Sequence, residues 1–138
     1  MWEKGLELLP GLIAAADYSA DGTTEEFGLY EHLFVFLSAA GVVTVCDAEG
    51  QRAIGVLKNR PKKDETADVA DLSGVIAVQS SAVVTAGAIV ETADDGQALT
   101  TTYGGGNTAK FVLGVALSTS GAAPGLIQIL ACTPHRAA

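Results

Sequence analysis

Leu29-Tyr-Glu-His-Leu-Phe-Val-Phe-Leu37, then Ser38-Ala-Ala-Gly41, then Val42-Val-Thr-Val-Cys46 is the stretch that decides the fold class. Aromatic and β-branched residues fill both halves, and small residues ending in glycine separate them, the pattern of two strands joined as a hairpin. Working outward, Gln51 to Leu57 returns as a strand after Asp47-Ala-Glu-Gly50. Val75 to Val78, Ala88 to Thr92, Gln97 to Thr102, Phe111 to Leu117 and Leu126 to Cys132 follow, each bounded by Gly, Asn, Asp or Ser. Beyond residue 20 no stretch keeps a 3.6-residue apolar period between caps. Residues 64–72 (DETADVADL) fit either a short helix, with acids in its first turn, or a strand through Ala67 to Leu72. The expectation is an all-β, single-domain barrel or sandwich of about eight short strands.

Two segments use the same device. Asp47-Ala-Glu-Gly50-Gln51 leads to Ile54-Gly-Val-Leu57, Asp94-Asp-Gly96-Gln97 leads to Ala98-Leu99, and Leu113-Gly-Val-Ala-Leu117 repeats the Gly-Val step. The Asp-x-Gly turn reverses the chain, and a glycine inside a strand lets another backbone pass close by.

The 138 residues (14.0 kDa, 49% hydrophobic) suit one domain with one core and no disulfide or metal staple. Cys46 and Cys132 lack metal or redox spacing and read as buried thiols. A net charge of −8 disfavours a free-standing nucleic-acid binder, which works by neutralising phosphate. No run approaches the roughly 20 apolar residues of a membrane-spanning helix. Gly5 to Ala16 is apolar, but Glu3, Glu7 and Pro10 spoil it as an export signal, so synthesis in a cytosol is expected.

Charge is unevenly spread. Residues 1–50 hold nine acids and one lysine, while residues 51–65 hold five bases and two acids. The basic run Lys58-Asn-Arg-Pro-Lys-Lys63 is either a solvated loop or a dock for acidic patches on a partner or on the chain's own front. Residues 17–28 (DYSADGTTEEFG) are polar and turn-rich, the signature of an arm or linker. The expected division is therefore an N-terminal arm over 1–28 and a β-barrel over 29–138. Trp2, Leu6, Leu8, Leu9, Leu12 and Ile13 are apolar anchors in need of a surface, supplied either by a partner or by the chain's own barrel. Deleting residues 1–26 is expected to leave a folded barrel without its partner contact.

Candidate chemistry is sparse. His32 is placed on the first strand beside Tyr30 and Phe34, as a strand-surface or contact residue, and His135 lies near the chain end. Gly104 to Lys110 lacks the Gly-Lys-[Ser/Thr] of a phosphate loop and no apolar helix follows it. Asp47 with Glu49, and Asp94 with Asp95, read as turn formers. No catalytic, cofactor-binding or metal residue is expected, and no enzyme activity.

The order of Leu9-Pro-Gly-Leu-Ile-Ala-Ala-Ala-Asp-Tyr-Ser19, Phe34-Val-Phe-Leu-Ser38, Val42 to Cys46, Ala53 to Pro61, Val84 to Val90, Asp95-Gly-Gln-Ala98, Leu113 to Leu117 and Leu126 to Leu130 resembles the tailed-bacteriophage capsid decoration proteins, the cement or head-stabilisation class. The resemblance spans nearly the whole chain and rests on order and spacing. It implies a structural virion protein, made in the bacterial host cytoplasm, that binds the outer surface of the assembled capsid. It also implies a homotrimer at threefold positions whose N-terminal arm bridges neighbouring major capsid protein subunits. The expected capsid contacts are Trp2, Leu6, Leu8, Leu9, Leu12, Ile13, Tyr18, Lys58, Arg60, Lys62 and Lys63. The alternative is a carbohydrate- or surface-binding β-barrel module, for which Tyr103 beside the glycine loop is the obvious platform.

Overall fold

Alternation along the strands has a direct structural result: consecutive residues point into two different cores. Phe34 and Val56 are cross-strand partners facing one apolar cluster, whereas their neighbours Val35 and Leu57 face another. The computed structural model describes residues 3–5, 7–22, 27–80, 83–101, 110–119 and 125–136.

Eleven strands run through the described residues, and none of those residues is helical. They are β1 Leu8–Leu9, β2 Ile13–Ala14, β3 Phe34–Ala39, β4 Val42–Val45, β5 Gly55–Leu57, β6 Val69–Asp71, β7 Val75–Ser80, β8 Ile89–Thr92, β9 Ala98–Thr100, β10 Phe111–Ala116 and β11 Gly125–Arg136. One sheet has the order β1-β6-β5-β3-β4-β2, and the other closes as a barrel, β10-β11-β7-β9-β8. The molecule is a small all-β domain. The β3–β4 hairpin forms as expected and turns at Gly41 with φ 72°, but its first strand starts at Phe34 and not at Leu29, because His32 takes φ 68° in the turn before it. Residues 69–71 of the ambiguous segment are strand.

The Gly-Val steps do what a missing Cβ permits. A Cβ on Gly55 would run into the Ala70 carbonyl oxygen of the neighbouring strand, and one on Gly114 would lie 2.6 Å from the Leu130 carbonyl oxygen. The Asp-x-Gly turns end on Gly50 and Gly96, with φ of 75° and 84°.

The single core expected from chain length is divided. One cluster, around Phe34, Ile76, Leu113, Ile127 and Ile129, fills the closed barrel. The other, around Leu12, Ala14, Tyr18, Val43, Leu57 and Val69, lies on the opposite side of β3 and β5. Because β3 and β5 feed both, neither cluster stands alone.

Residues 1–28 were expected to extend as an arm; their described residues instead belong to this body. β1 pairs antiparallel with β6, and β2 pairs parallel with β4. On one side of β2, Ile13 and Ala15 donate their N–H groups to Gly41 and Val43 carbonyls at 2.9 and 3.0 Å. On the other, the Ala14 and Ala67 amides donate to Glu65 and Leu12 carbonyls, both at 3.0 Å, and the Asp64 amide to Ala14 at 2.9 Å. The leader thus fills the gap between β4 and residues 64–67. Backbone groups bonded on both flanks are those of an interior strand, and an apolar leader next to an apolar sheet edge satisfies both requirements at once.

Candidate functional site

Of the residues named for partner contact, Lys58 lies where the leader, the segment after β5 and one edge of β7 come together. β11 occupies one side of β7 along its whole length, and β9 joins the other side only at Ser80. The rest of that second side is filled without a strand. Lys4 and Val75 exchange backbone hydrogen bonds at 2.7 and 3.1 Å, the Ala77 amide donates to a Glu3 carboxylate oxygen at 2.9 Å, and the Gln79 amide donates to the His32 carbonyl at 2.9 Å.

Lys58 is central to this seam. Its ammonium pairs with Glu3 and donates to the Ala77 carbonyl at 3.2 Å, and His32 Nδ1 is 3.1 Å away. An ammonium has three protons and no lone pair, so these three acceptors saturate it and Nδ1 must be the unprotonated nitrogen of a neutral imidazole. Nε2 then faces Glu31 at 3.7 Å. Burial, followed by the repulsion of Lys58, holds His32 below its ordinary pKa, and burial likewise lowers Lys58 despite the pull of Glu3. Glu31 is held below the usual carboxylate value: burial is the largest influence and pushes upward, but the Gly28 amide and the Arg60 guanidinium outweigh it.

His32 is therefore not on a strand surface. It sits in the turn before β3 with φ 68°, its ring edge-on to Phe27 at 5.9 Å. Gln79 braces the same turn by donating from one amide nitrogen toward the carbonyls of Gly28, Leu29 and Glu31. The sequence carries no period or motif that marks Gln79 for this task; its only signal is a polar residue at a buried strand position.

The basic run separates into two uses. Arg60 pairs with Asp21 at 3.0 Å and Glu31 at 3.2 Å, so Lys58 and Arg60 engage the chain's own acidic front. Lys62 and Lys63 are exposed. Among the proposed apolar anchors, Leu12 and Tyr18 are buried, Leu9 packs against the second cluster, Ile13 is half-buried in β2, and Leu8 is 55% exposed. The Tyr18 hydroxyl accepts the Val45 amide at 3.1 Å, and its ring lies 5.0 Å from Tyr30. Trp2 and Leu6 fall outside the described residues, as do Tyr103 and the glycine loop up to residue 109. Of the expected contacts, Leu12, Tyr18, Lys58 and Arg60 are thus committed within the chain, and Leu8, Lys62 and Lys63 present themselves to solvent.

A second charged group lies at the barrel. Lys110 bonds Glu49 at 2.7 Å and is 3.5 Å from Glu91, which is 1% exposed and whose other carboxylate oxygen has no hydrogen-bond partner. Burial raises the Glu91 pKa against the opposing pull of Lys110. Asp94 and Asp95 lie in the turn between β8 and β9. His135 is held in β11 opposite Val112. The two cysteines are free; burial pushes the Cys46 thiol up to about 12, the behaviour of an inert core thiol. Among the described residues no group of three or more His, Cys, Asp or Glu is arranged to hold a metal ion.

No protein-family model matches the chain, and no curated protein sequence matches it. Among solved structures it is similar to the crystal structure of the head fiber gp8.5 N base of bacteriophage phi29, with a TM-score of 0.61 and 17% sequence identity. The similarity covers 90% of this chain and 92% of that one, so the two share a fold along almost their full lengths.

Proposed function

We propose that this chain is a structural, non-enzymatic protein of a phage virion, attached as a trimer to the outer surface of the assembled capsid through the major capsid protein. One observation carries the reading: a domain built like the base of a phage head fiber, matched over 90% of the chain. The order of segments that resembles capsid decoration proteins supports it independently of three-dimensional shape. The internal commitments of Lys58, Arg60, Glu31 and Glu3 also fit a body whose charges stabilise its own form.

In this reading the leader bridges neighbouring shell subunits as a folded brace. Ala14 is hydrogen-bonded to Asp64 and Glu65, which joins the leader to the loop carrying Lys62 and Lys63. Leu8, Lys62 and Lys63 then form the shell-facing contacts. Stabilisation follows from linkage: a protein that binds only the assembled shell favours that state by roughly 2.7 kcal/mol per site at a hundredfold excess over Kd. Three contacts on one rigid body add avidity of roughly 100-fold or more.

The test is binding of the purified chain to heads that lack it, read by co-sedimentation and by electron microscopy of the decorated particles. Saturable density outside the coat is expected, weakened by a Lys62→Glu, Lys63→Glu double variant. No density on heads at saturating protein overturns the reading.

A further inference from the structure

Charge in this chain is segregated by sheet. No Asp, Glu, Lys or Arg occurs from Leu72 to Val90 or from Phe111 to His135, although the chain carries 24 such residues in all. These two runs supply β7, β10 and all of β11 except its last residue, Arg136, three of the five strands of the closed barrel. On the outward side of β10 and β11 the charge-free surface is also apolar. Val115 and Leu130 are direct cross-strand partners, 37% and 50% exposed, and Leu117 follows at 48%, its amide bonded to the Gln128 carbonyl at 2.8 Å. Alternation places Val115, Leu117, Gln128 and Leu130 on one face, while Ala116, Ile127 and Ile129 point into the core.

We infer that this β10–β11 face is the surface through which copies of the chain associate. Two bodies that each carry −8 repel, and a contact made through their acidic fronts would bring like charges together. The face built on Val115, Leu117 and Leu130 is where a like-charged copy can approach without that cost. A partner of opposite charge would find its complement on the acidic front, residues 1–50, and would gain nothing from a surface without charge. The occupant is a second copy of this chain, the like-charged partner that the proposed trimer requires. Leu130 and Leu117 are the central anchors and Gln128 is the polar group between them. The inference rests on the proposed association of copies and is independent of capsid attachment.

Sedimentation equilibrium of the purified full chain tests it. Wild type is expected to self-associate, and Leu130→Glu to raise the dissociation constant about 100-fold, because a carboxylate then faces its own copy in a dry contact. Leu37→Glu, at an exposed leucine of β3 on the other sheet, is expected to leave association unchanged. Raising salt should tighten the assembly, since it screens repulsion between acidic bodies and breaks no interfacial ion pair. Thermal melts establish that Leu130→Glu is folded, and Leu117→Glu serves in its place if it is not. A monomeric wild type, or an assembly that dissociates for Leu37→Glu and persists for both face variants, overturns the inference. Monomers that still decorate heads sink this interface alone; an oligomer dependent on Leu130 that ignores heads sinks the capsid reading alone.

Discussion

Lys58 and Glu3, 55 residues apart in the chain, form an ion pair against the edge of β7, where Glu3 also accepts the Ala77 amide and Lys58 also donates to the Ala77 carbonyl. Both polar groups of one strand residue are thereby satisfied by side chains where a neighbouring strand would otherwise be required. The pair joins the leader, the segment after β5 and the closed barrel at one point.

Removing one member of this pair strands the other. Glu3→Ala is expected to cost about 3 kcal/mol in urea unfolding, because the ammonium loses its carboxylate and the Ala77 amide its acceptor. The Glu3→Gln, Lys58→Met double variant should recover most of that loss. A double-mutant cycle with no coupling would mean the pair is only a surface contact.

Acid should weaken the seam through His32. Its folded pKa lies below the ordinary 6.5, with burial the chief cause and Lys58 the next, so the unfolded chain binds the proton more readily. The contribution is therefore fully present above pH 6.5 and is lost as pH falls through the folded value. His32→Asn, which suits the left-handed backbone at φ 68°, removes the titration. Urea melts between about pH 7.5 and about pH 5 should show a shallower loss for the variant than for wild type. Parallel slopes would remove His32 from the acid response.

Glu91 has the opposite sign. Burial raises its folded pKa above 4.5, so its contribution is favourable below that value and is lost as pH rises through the folded pKa. Glu91→Gln is expected to be more stable than wild type at neutral pH, with the difference shrinking on acidification toward pH 4.5. A difference that grows in acid would show that the Lys110 pairing outweighs desolvation.

Gly114→Ala should destabilise by about 3 kcal/mol, since the added methyl meets the backbone of β11, which cannot move aside as a side chain could. Gly55→Ala meets the Ala70 carbonyl in the same way. Gly87→Ala has open space around its Cβ but a φ of 90°, so its cost comes from backbone strain alone. Equal costs at Gly87 and Gly114 would discount close strand approach as the reason for glycine in β10.

Deleting residues 1–18 should abolish cooperative unfolding. The truncation removes Leu12, Ala14 and Tyr18 from the second cluster and leaves β4 and residues 64–67 with unpaired backbone groups. Tyr18→Phe, which strands the Val45 amide while keeping the ring, is the mild counterpart at about 1 kcal/mol. A truncated chain that melts like wild type would restore the free arm expected from the sequence.

Local chemistry made much of the fold readable. Alternation and β-branched content marked the strands from β3 onward except β6, which stayed open between helix and strand; aspartate-glycine turns marked places that need a positive φ, and the Gly-Val steps marked places where strands pass closely. These are properties of residues and their immediate neighbours, so the amino-acid order alone determined them. Strands of two residues such as β1 and β2 are too short to show a period, and Pro10 between them reads only as a helix breaker. Their place was decided only in three dimensions, where the edges of β4 and of residues 64–67 leave a slot the leader fills. The fate of the basic run was decided there too. The sequence left the basic run as either a solvated loop or a dock for acids; only the folded chain set Glu3, Glu31 and Asp21 beside Lys58 and Arg60, because ion pairing depends on proximity in space and not on spacing along the sequence.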